Sequence, residues 1–320
     1  MYNKKFKDSF LSEYPKRTAG TYIYDLKRVS QREEMLDKNV YDFTYEEMDD
    51  MFKSMHYKTL ASARRSVSTV SEYVDFANRN GKISSKIDIS QLFRKDKLKE
   101  YVWKYAYLES FVTRDEMYEM TDMLYNYSDK LPIILSFEGI KGEELIDMIN
   151  LKFSDINFKT GECKLITDKP SVIIKDRRSL DLIQESKNES EYHFKNGEAT
   201  GRVRVAELMD TDYVLKKTTR PNSNNEVEIV TVGFLEAKMT RIFKGMGEQE
   251  PFIPGKDFVN LTSLFKSGIF DKVREVEKSL KLTKIGGLDF IEIVKTRGLD
   301  ERSAYRYKTE YDNYKEYLSI

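Results

Sequence analysis

The sequence predicts a mainly α-helical chain with a small β-sheet, folded as two domains. Three observations carry this. Apolar residues recur at i, i+3 or i+4 and i+7 over most of the 320 residues, which is a helical period. A threonine followed three residues later by glutamate opens two of the apolar stretches, as a capping box does. Only one stretch near the middle is β-rich on both sides of a turn. A hydrophobic share of 40%, 34% charged residues and 6 prolines fit a globular, mostly helical chain, long enough for two domains, expected at 1–108 and 109–320.

Residues 18–36 read as a first helix, with Tyr22, Leu26 and Val29 on one side. Thr44 and Glu47 cap a second, whose stripe of Met48, Met51, Phe52 and Met55 belongs in a core. A third helix is expected over 59–80, ending at Gly81, with Ala63, Val67, Val70, Val74 and Ala77 buried. Its other side carries Lys58, Ser62, Arg64, Arg65, Ser66 and Ser68. Short hydroxylated residues beside arginines let a helix approach a sugar-phosphate backbone; a plain solvated face has the same composition. Residues 81–90 form a connector, and 91–107 a fourth helix holding Trp103.

A new unit begins at Phe111, with Thr113 and Glu116 as the second capping box. The apolar run 131–137 stops at Gly139. Another helix opens at Gly142, Glu143 and Glu144 and buries Leu145, Met148 and Ile149. Lys141 then lies at a turn beside backbone N–H groups, a combination suited to phosphate. Residues 162–166 and 171–175 form a hairpin around 167–170. Polar insertions at 186–200 and 218–228 flank a short basic strand, Arg202, Val203, Arg204 and Val205. Helices follow at 232–245 and as a final pair, 288–297 and 300–318, divided by Gly298 and capped by Asp300.

Bulk charge excludes no partner class and favours none: 54 basic residues balance 54 acidic ones. Basic residues do gather in 4–28, 58–94 and 164–220, which can give one basic face on a neutral molecule. The single cysteine, Cys163, excludes an internal disulfide and a multi-cysteine zinc site and suits a reducing compartment. With no apolar run near the ~20 residues of a bilayer span and no signal-peptide core, a cytoplasmic protein without a membrane partner is expected.

The stretch Glu138, Gly139, Ile140, Lys141, Gly142, Glu143, Glu144, Leu145, with Leu151, Asp155 and Ile156 downstream, resembles the T-G-L-R-x-S-E-L-x-x-L-x-x-x-D-I motif of the tyrosine recombinases, the phage integrase family. Thr18, Tyr22, Asp25 and Leu26 resemble its T-x-x-x-Y-x-x-D-L opening. Thr113 and Glu116 resemble its L-T-x-x-E start, and 261–269 occupies the place of its L-R-H-T-F box. The resemblance implies a SAM-like four-helix core-binding domain followed by a tyrosine-recombinase-like catalytic-type domain.

Recombinase chemistry attacks a phosphodiester with tyrosine while two arginines clamp the developing charge and histidine and lysine manage protons. Here the first arginine position is Lys141, and Phe265 and Lys266 stand where the second arginine and its histidine belong. Lys169 is the positional candidate for the hairpin lysine, and Tyr305 or Tyr307 for the nucleophile. The two histidines, His56 and His193, lack an arginine three residues on. The site therefore reads as degenerate: no catalytic residue, metal or cofactor is expected.

The chain is also similar to integrase-related lysogeny repressors of SPβ-like Bacillus phages. That likeness implies a sequence-specific double-stranded DNA-binding repressor acting at operator sites near the host nucleoid. Lys58, Arg64 and Arg65 would meet the major groove or its phosphates; Lys141, Lys169, Lys266 and Arg302 would grip backbone. Lys16, Arg17, Thr18, Ser62, Arg202, Arg204 and Arg306 complete the candidate contacts. Alanine at Arg64 and Arg65 is expected to cost DNA affinity without cost to folding. A divergent active recombinase and a helical partner-binding protein without nucleic acid are the alternatives. A regulatory protein partner and the oligomeric state are left open, and residues 300–320 could exchange between copies or fold back on their own domain.

Overall fold

A computed structural model describes residues 1–83, 88–167, 170–200, 202–219 and 229–318. It divides into two compact units, Met1–Tyr107 and Leu108–Ile320.

In the first unit, α1 (Lys4–Leu11) precedes α2 (Lys16–Leu36), α3 (Tyr45–Ser54) and α4 (Leu60–Arg79), with short α5 (Lys95–Glu100) and α6 (Lys104–Leu108) after them. α1 was not expected, and α2 starts two residues earlier than periodicity indicates because Pro15 occupies its N-cap. The starts of α3 and α4 follow local chemistry: Thr44 with Glu47 and Thr59 with Ser62 form reciprocal caps. Leu26, Val29, Met48, Met51, Phe52, Val67, Val70 and Tyr73 fill the core.

The fourth helix expected at 91–107 is broken into a 3-10 turn, α5 and α6, and Trp103 lies between the last two. A parallel bridge explains the break. The Tyr57 amide donates to the Tyr101 carbonyl at 3.0 Å and the Trp103 amide to Tyr57 at 2.8 Å, so tertiary bonds displace helical ones. Ser66, expected on the outer side of α4, is fully buried and accepts from the Tyr57 hydroxyl at 2.7 Å.

The second unit is built on α7 (Arg114–Asp122) and α8 (Tyr127–Glu138), followed by α9 (Ile146–Asn150). β1 (Ile156–Asn157), β2 (Glu162–Cys163) and β3 (Val172–Ile173) form an antiparallel sheet in which Cys163 pairs with both Ile156 and Val172. Then come α10 (Arg177–Glu185), the antiparallel pair β4 (Glu191–His193) and β5 (Val205–Glu207), α11 (Val232–Lys244), α12 (Leu261–Ser279), α13 (Gly287–Lys295) and α14 (Glu301–Leu318). β1 was not expected, and the basic strand begins only at Val205, leaving Arg202 and Arg204 ahead of it.

From Leu131 to its C-terminal end α8 is buried on every side: Leu131, Ile133, Ile134, Leu135 and Phe137 are each at most 1% exposed. Its C-terminal end packs on α12 at Gly268, where a Cβ would stand 1.7 Å from the Phe137 carbonyl oxygen. Only glycine permits that approach. The Arg297 side chain, buried at the end of α13, ties the same two helices, donating to Phe137 O at 2.6 Å and Gly268 O at 3.2 Å. α14 folds back on its own unit, packing on α13, with Tyr307, Tyr311 and Tyr314 on its buried side.

Candidate functional site

In the second unit, a cavity of about 380 Å³ collects residues from five separate stretches: Lys141 after α8 with Asp147 on α9, Leu165 after β2, Phe265 on α12, Arg297 after α13, and Arg306 with Tyr307 on α14. Local sequence places them. Gly139 caps α8 in the left-handed region at φ 101°, turning the chain so that Lys141 reaches the cavity. The helix expected to open at Gly142 does not do so. Residues Glu143–Leu145 form a 3-10 turn in which Glu144 (φ 48°) and Leu145 (φ 62°) are left-handed, so α9 starts at Ile146 and runs five residues. That is too short to present an aligned helix dipole to a phosphate.

The two candidate tyrosines part company. Tyr305 is 62% exposed, whereas Tyr307 is 5% exposed and lines the cavity. The Arg306 guanidinium donates to the Tyr307 hydroxyl at 3.0 Å and its charge centre lies 4.8 Å from the ring centroid. Burial lifts the phenol above its ordinary value against the pull of Arg306, which opposes formation of a phenolate nucleophile. Phe265 faces Tyr307 with ring centroids 6.2 Å apart, so a hydrocarbon ring stands near the hydroxyl where a guanidinium would act.

Lys266 is not brought to this cavity; its ammonium pairs with Glu310 at 2.5 Å. Arg302 is exposed on the first turn of α14, and Arg202 and Arg204 are exposed ahead of β5. Lys169 lies outside the described residues. His56 follows α3 as an exposed, left-handed residue, its ring 5.4 Å from that of Trp103, and His193 in β4 packs on Tyr125. Among the described residues, no group of three His, Cys, Asp or Glu side chains is placed to hold a metal.

In the first unit, Lys58 and Arg64 are exposed at the N-terminal end of α4, beside the Thr59–Ser62 cap. Arg65 is different. The Nε and Nη2 of one edge of its guanidinium donate to the two carboxylate oxygens of Asp25 on α2, each at 3.2 Å, and Asp25 is fully buried. Arg65 is therefore a tie between α2 and α4, and the expectation that its removal would spare folding is withdrawn. Lys16 and Arg17 are exposed and Thr18 half-buried at the start of α2. α2 and α4 run antiparallel, as the Asp25–Arg65 and Glu13–Arg79 pairs require, so this cluster stands roughly 12 Å along the axis from Arg65.

Sequence reasoning missed Asp147, Arg297 and the Arg306–Tyr307 bond. The Arg-Tyr dipeptide on an amphipathic helix was a signal available for the last; nothing local marks the other two.

A core-binding unit followed by a catalytic-type unit defines a recombinase-like scaffold. Residues 111–316 match the family described as MrpR, C-terminal catalytic domain, and residues 1–79 match MrpR, N-terminal core-binding domain. The chain belongs to the MrpR family. It is also similar to the SPbeta prophage-derived uncharacterized protein YopR of Bacillus subtilis (strain 168), 24% identical over 258 residues that make up 76% of each chain. Among solved structures, a lambda integrase (75-356) dimer bound to a COC′ core site is 14% identical, with a TM-score of 0.48 over 96% of this chain and 95% of that one. XerA recombinase is 13% identical with a TM-score of 0.33, covering 95% and 96%.

Proposed function

We propose that this protein is a sequence-specific double-stranded DNA-binding repressor of prophage genes, working in the cytoplasm on a recombinase-type scaffold that no longer cuts DNA. The observation that carries the reading is the cavity: Tyr307 is buried, held by Arg306 and faced by Phe265, while Lys141 stands in place of an arginine. Lysine cannot supply the planar two-pronged bond of a guanidinium, and one lost donor to a developing oxyanion costs about 3–4 kcal/mol. Membership of a family with a core-binding domain, a relative of prophage origin, and the exposed cations Lys58 and Arg64 support DNA binding as the activity that survives. Among the described residues no helix is long and apolar enough to cross a membrane.

Duplex binding measured against salt tests this reading. A specific complex that neutralises several phosphates loses ~10³-fold or more in affinity between 50 and 200 mM salt. Binding indifferent to salt and sequence refutes it.

A second reading, strand transfer with Tyr307 as nucleophile, is favoured by the presence of Tyr307 and Lys141 in one cavity. It requires a covalent protein–DNA adduct on a nicked suicide substrate that Tyr307→Phe abolishes.

A further inference from the structure

The cavity contains an anion that the DNA-binding reading does not use. Asp147 is 1% exposed yet lines the same space as Lys141 and Arg306. Its Oδ1 accepts from the Thr167 hydroxyl at 2.9 Å and from the Thr167 amide at 3.3 Å. Its Oδ2 has no hydrogen-bond partner among the described residues and stands 2.5 Å from where a Cβ on Gly142 would be. A buried carboxylate oxygen without a donor among the described residues is a cost that folding does not require, since an uncharged acceptor would serve Thr167 equally well.

We propose that Asp147 is a resident anion that holds phosphate off the Lys141 cavity and so weakens this unit's grip on the DNA backbone. The inference rests on the DNA-binding reading above for its biological meaning, though not for its chemistry. The guanidinium of Arg297 is committed to two carbonyls. The remaining cations of the lining, Lys141 and Arg306, are matched by the two carboxylates Glu143 and Asp147. Those carbonyls are neutral and leave the Arg297 charge in place, so three cations face two carboxylates, and an entering phosphodiester meets a net charge of one cation where it would meet two without Asp147. Neutralising Asp147 raises that net charge to two cations, which favours phosphate.

The test is Asp147→Asn, whose oxygen still accepts from Thr167 and whose amide replaces the orphan oxygen with a donor. The full-length chain is melted in inorganic phosphate and in chloride at equal ionic strength, and its affinity for a duplex is measured at 50 mM salt. The variant gains a phosphate-specific rise in melting temperature that the parent lacks. It also binds duplex about tenfold tighter, the size of one like charge removed from several ångströms away, and the gap closes at high salt. Thr167→Val, which removes the hydroxyl bond and keeps the charge, behaves as the parent. Asp147→Ser shows the same gain and serves where the asparagine variant does not fold. Neutral variants that gain no phosphate-specific stabilisation overturn the inference. If they gain it while neither they nor the parent bind any duplex, the cavity assignment stands and the DNA-binding reading falls.

Discussion

Replacing Gly268 by alanine destabilises the second unit, against the usual sign of that change. In an exposed helix interior glycine to alanine gains about 0.5–1 kcal/mol, because the unfolded chain loses freedom and the helix loses none. At Gly268 the new Cβ would lie 1.7 Å from the Phe137 oxygen and 2.8 Å from its carbonyl carbon. Both are backbone atoms of a packed helix, so α8 and α12 must separate by more than an ångström. Overpacking of this kind costs about 1–3 kcal/mol. Separation also stretches the two Arg297 bonds that span the gap, each worth about 1.5–3 kcal/mol because the donor is charged. Set against the propensity gain, the net loss is about 2–4 kcal/mol, or roughly 5–15 °C in melting temperature for a unit of this size. Denaturant melts of the full chain, followed by circular dichroism, measure it. Gly20 provides the control: it lies inside α2 with nothing within 4 Å of a built Cβ, so Gly20→Ala raises stability by up to about 1 kcal/mol. A Gly268→Ala protein as stable as its parent refutes the close-approach argument.

Other outcomes follow from the same geometry. Arg64→Ala lowers duplex affinity by roughly 1–3 kcal/mol where it reads a base, and Lys58→Ala reduces the salt slope by about 1, both with unchanged melting; Arg65→Ala lowers the melting temperature as well, because Asp25 is left buried without its cation. Tyr307→Phe and Tyr305→Phe leave duplex affinity within error of the parent, in filter-binding or anisotropy titrations, and no adduct forms with either. Burial pushes the Cys163 thiol up to about 12, so iodoacetamide labels it only at the rate of unfolding, and labelling at the rate of a free thiol would contradict its placement. Burial alone would raise the Glu116 carboxyl, but the Thr113 amide and Lys256 outweigh it and hold it below its ordinary value. Its contribution to stability is thus full above the unfolded value near 4.3 and is lost as pH falls through the lower folded value. Glu116→Gln therefore flattens the acid limb of the melting-temperature profile below about pH 4.5.

How much of this was legible beforehand depends on whether a feature is local. The Thr44 and Thr113 caps and the buried stripe of α4 are written in residues three or four apart, and they stand where periodicity puts them. The break before Trp103 was illegible because Tyr57, more than forty residues away, provides the competing hydrogen bonds. The same reason hid the close approach of α8 and α12: nothing near Gly268 announces that Phe137 will lie against it. At the candidate site, Lys141, Phe265 and Tyr307 were named from motif positions, and the structure brings them to one cavity. Lys266 and Arg65 have partners that were not foreseen, for a common cause. Sequence shows a cation but not the carboxylate, Glu310 or Asp25, that will occupy it.

Tyr307 shows how packing alone can hold a tyrosine at a site-lining position. Its ring belongs to the face of α14 that also seats Tyr311 and Tyr314, whose hydroxyls meet Glu277 and Arg274, and its own hydroxyl is satisfied by Arg306. Mutational drift toward a smaller side chain would open a hole in that seam regardless of any reaction, so selection for folding alone preserves the tyrosine. The presence of this tyrosine thus does not by itself mark a chain that cleaves DNA; the side chains that would clamp a phosphate carry that information.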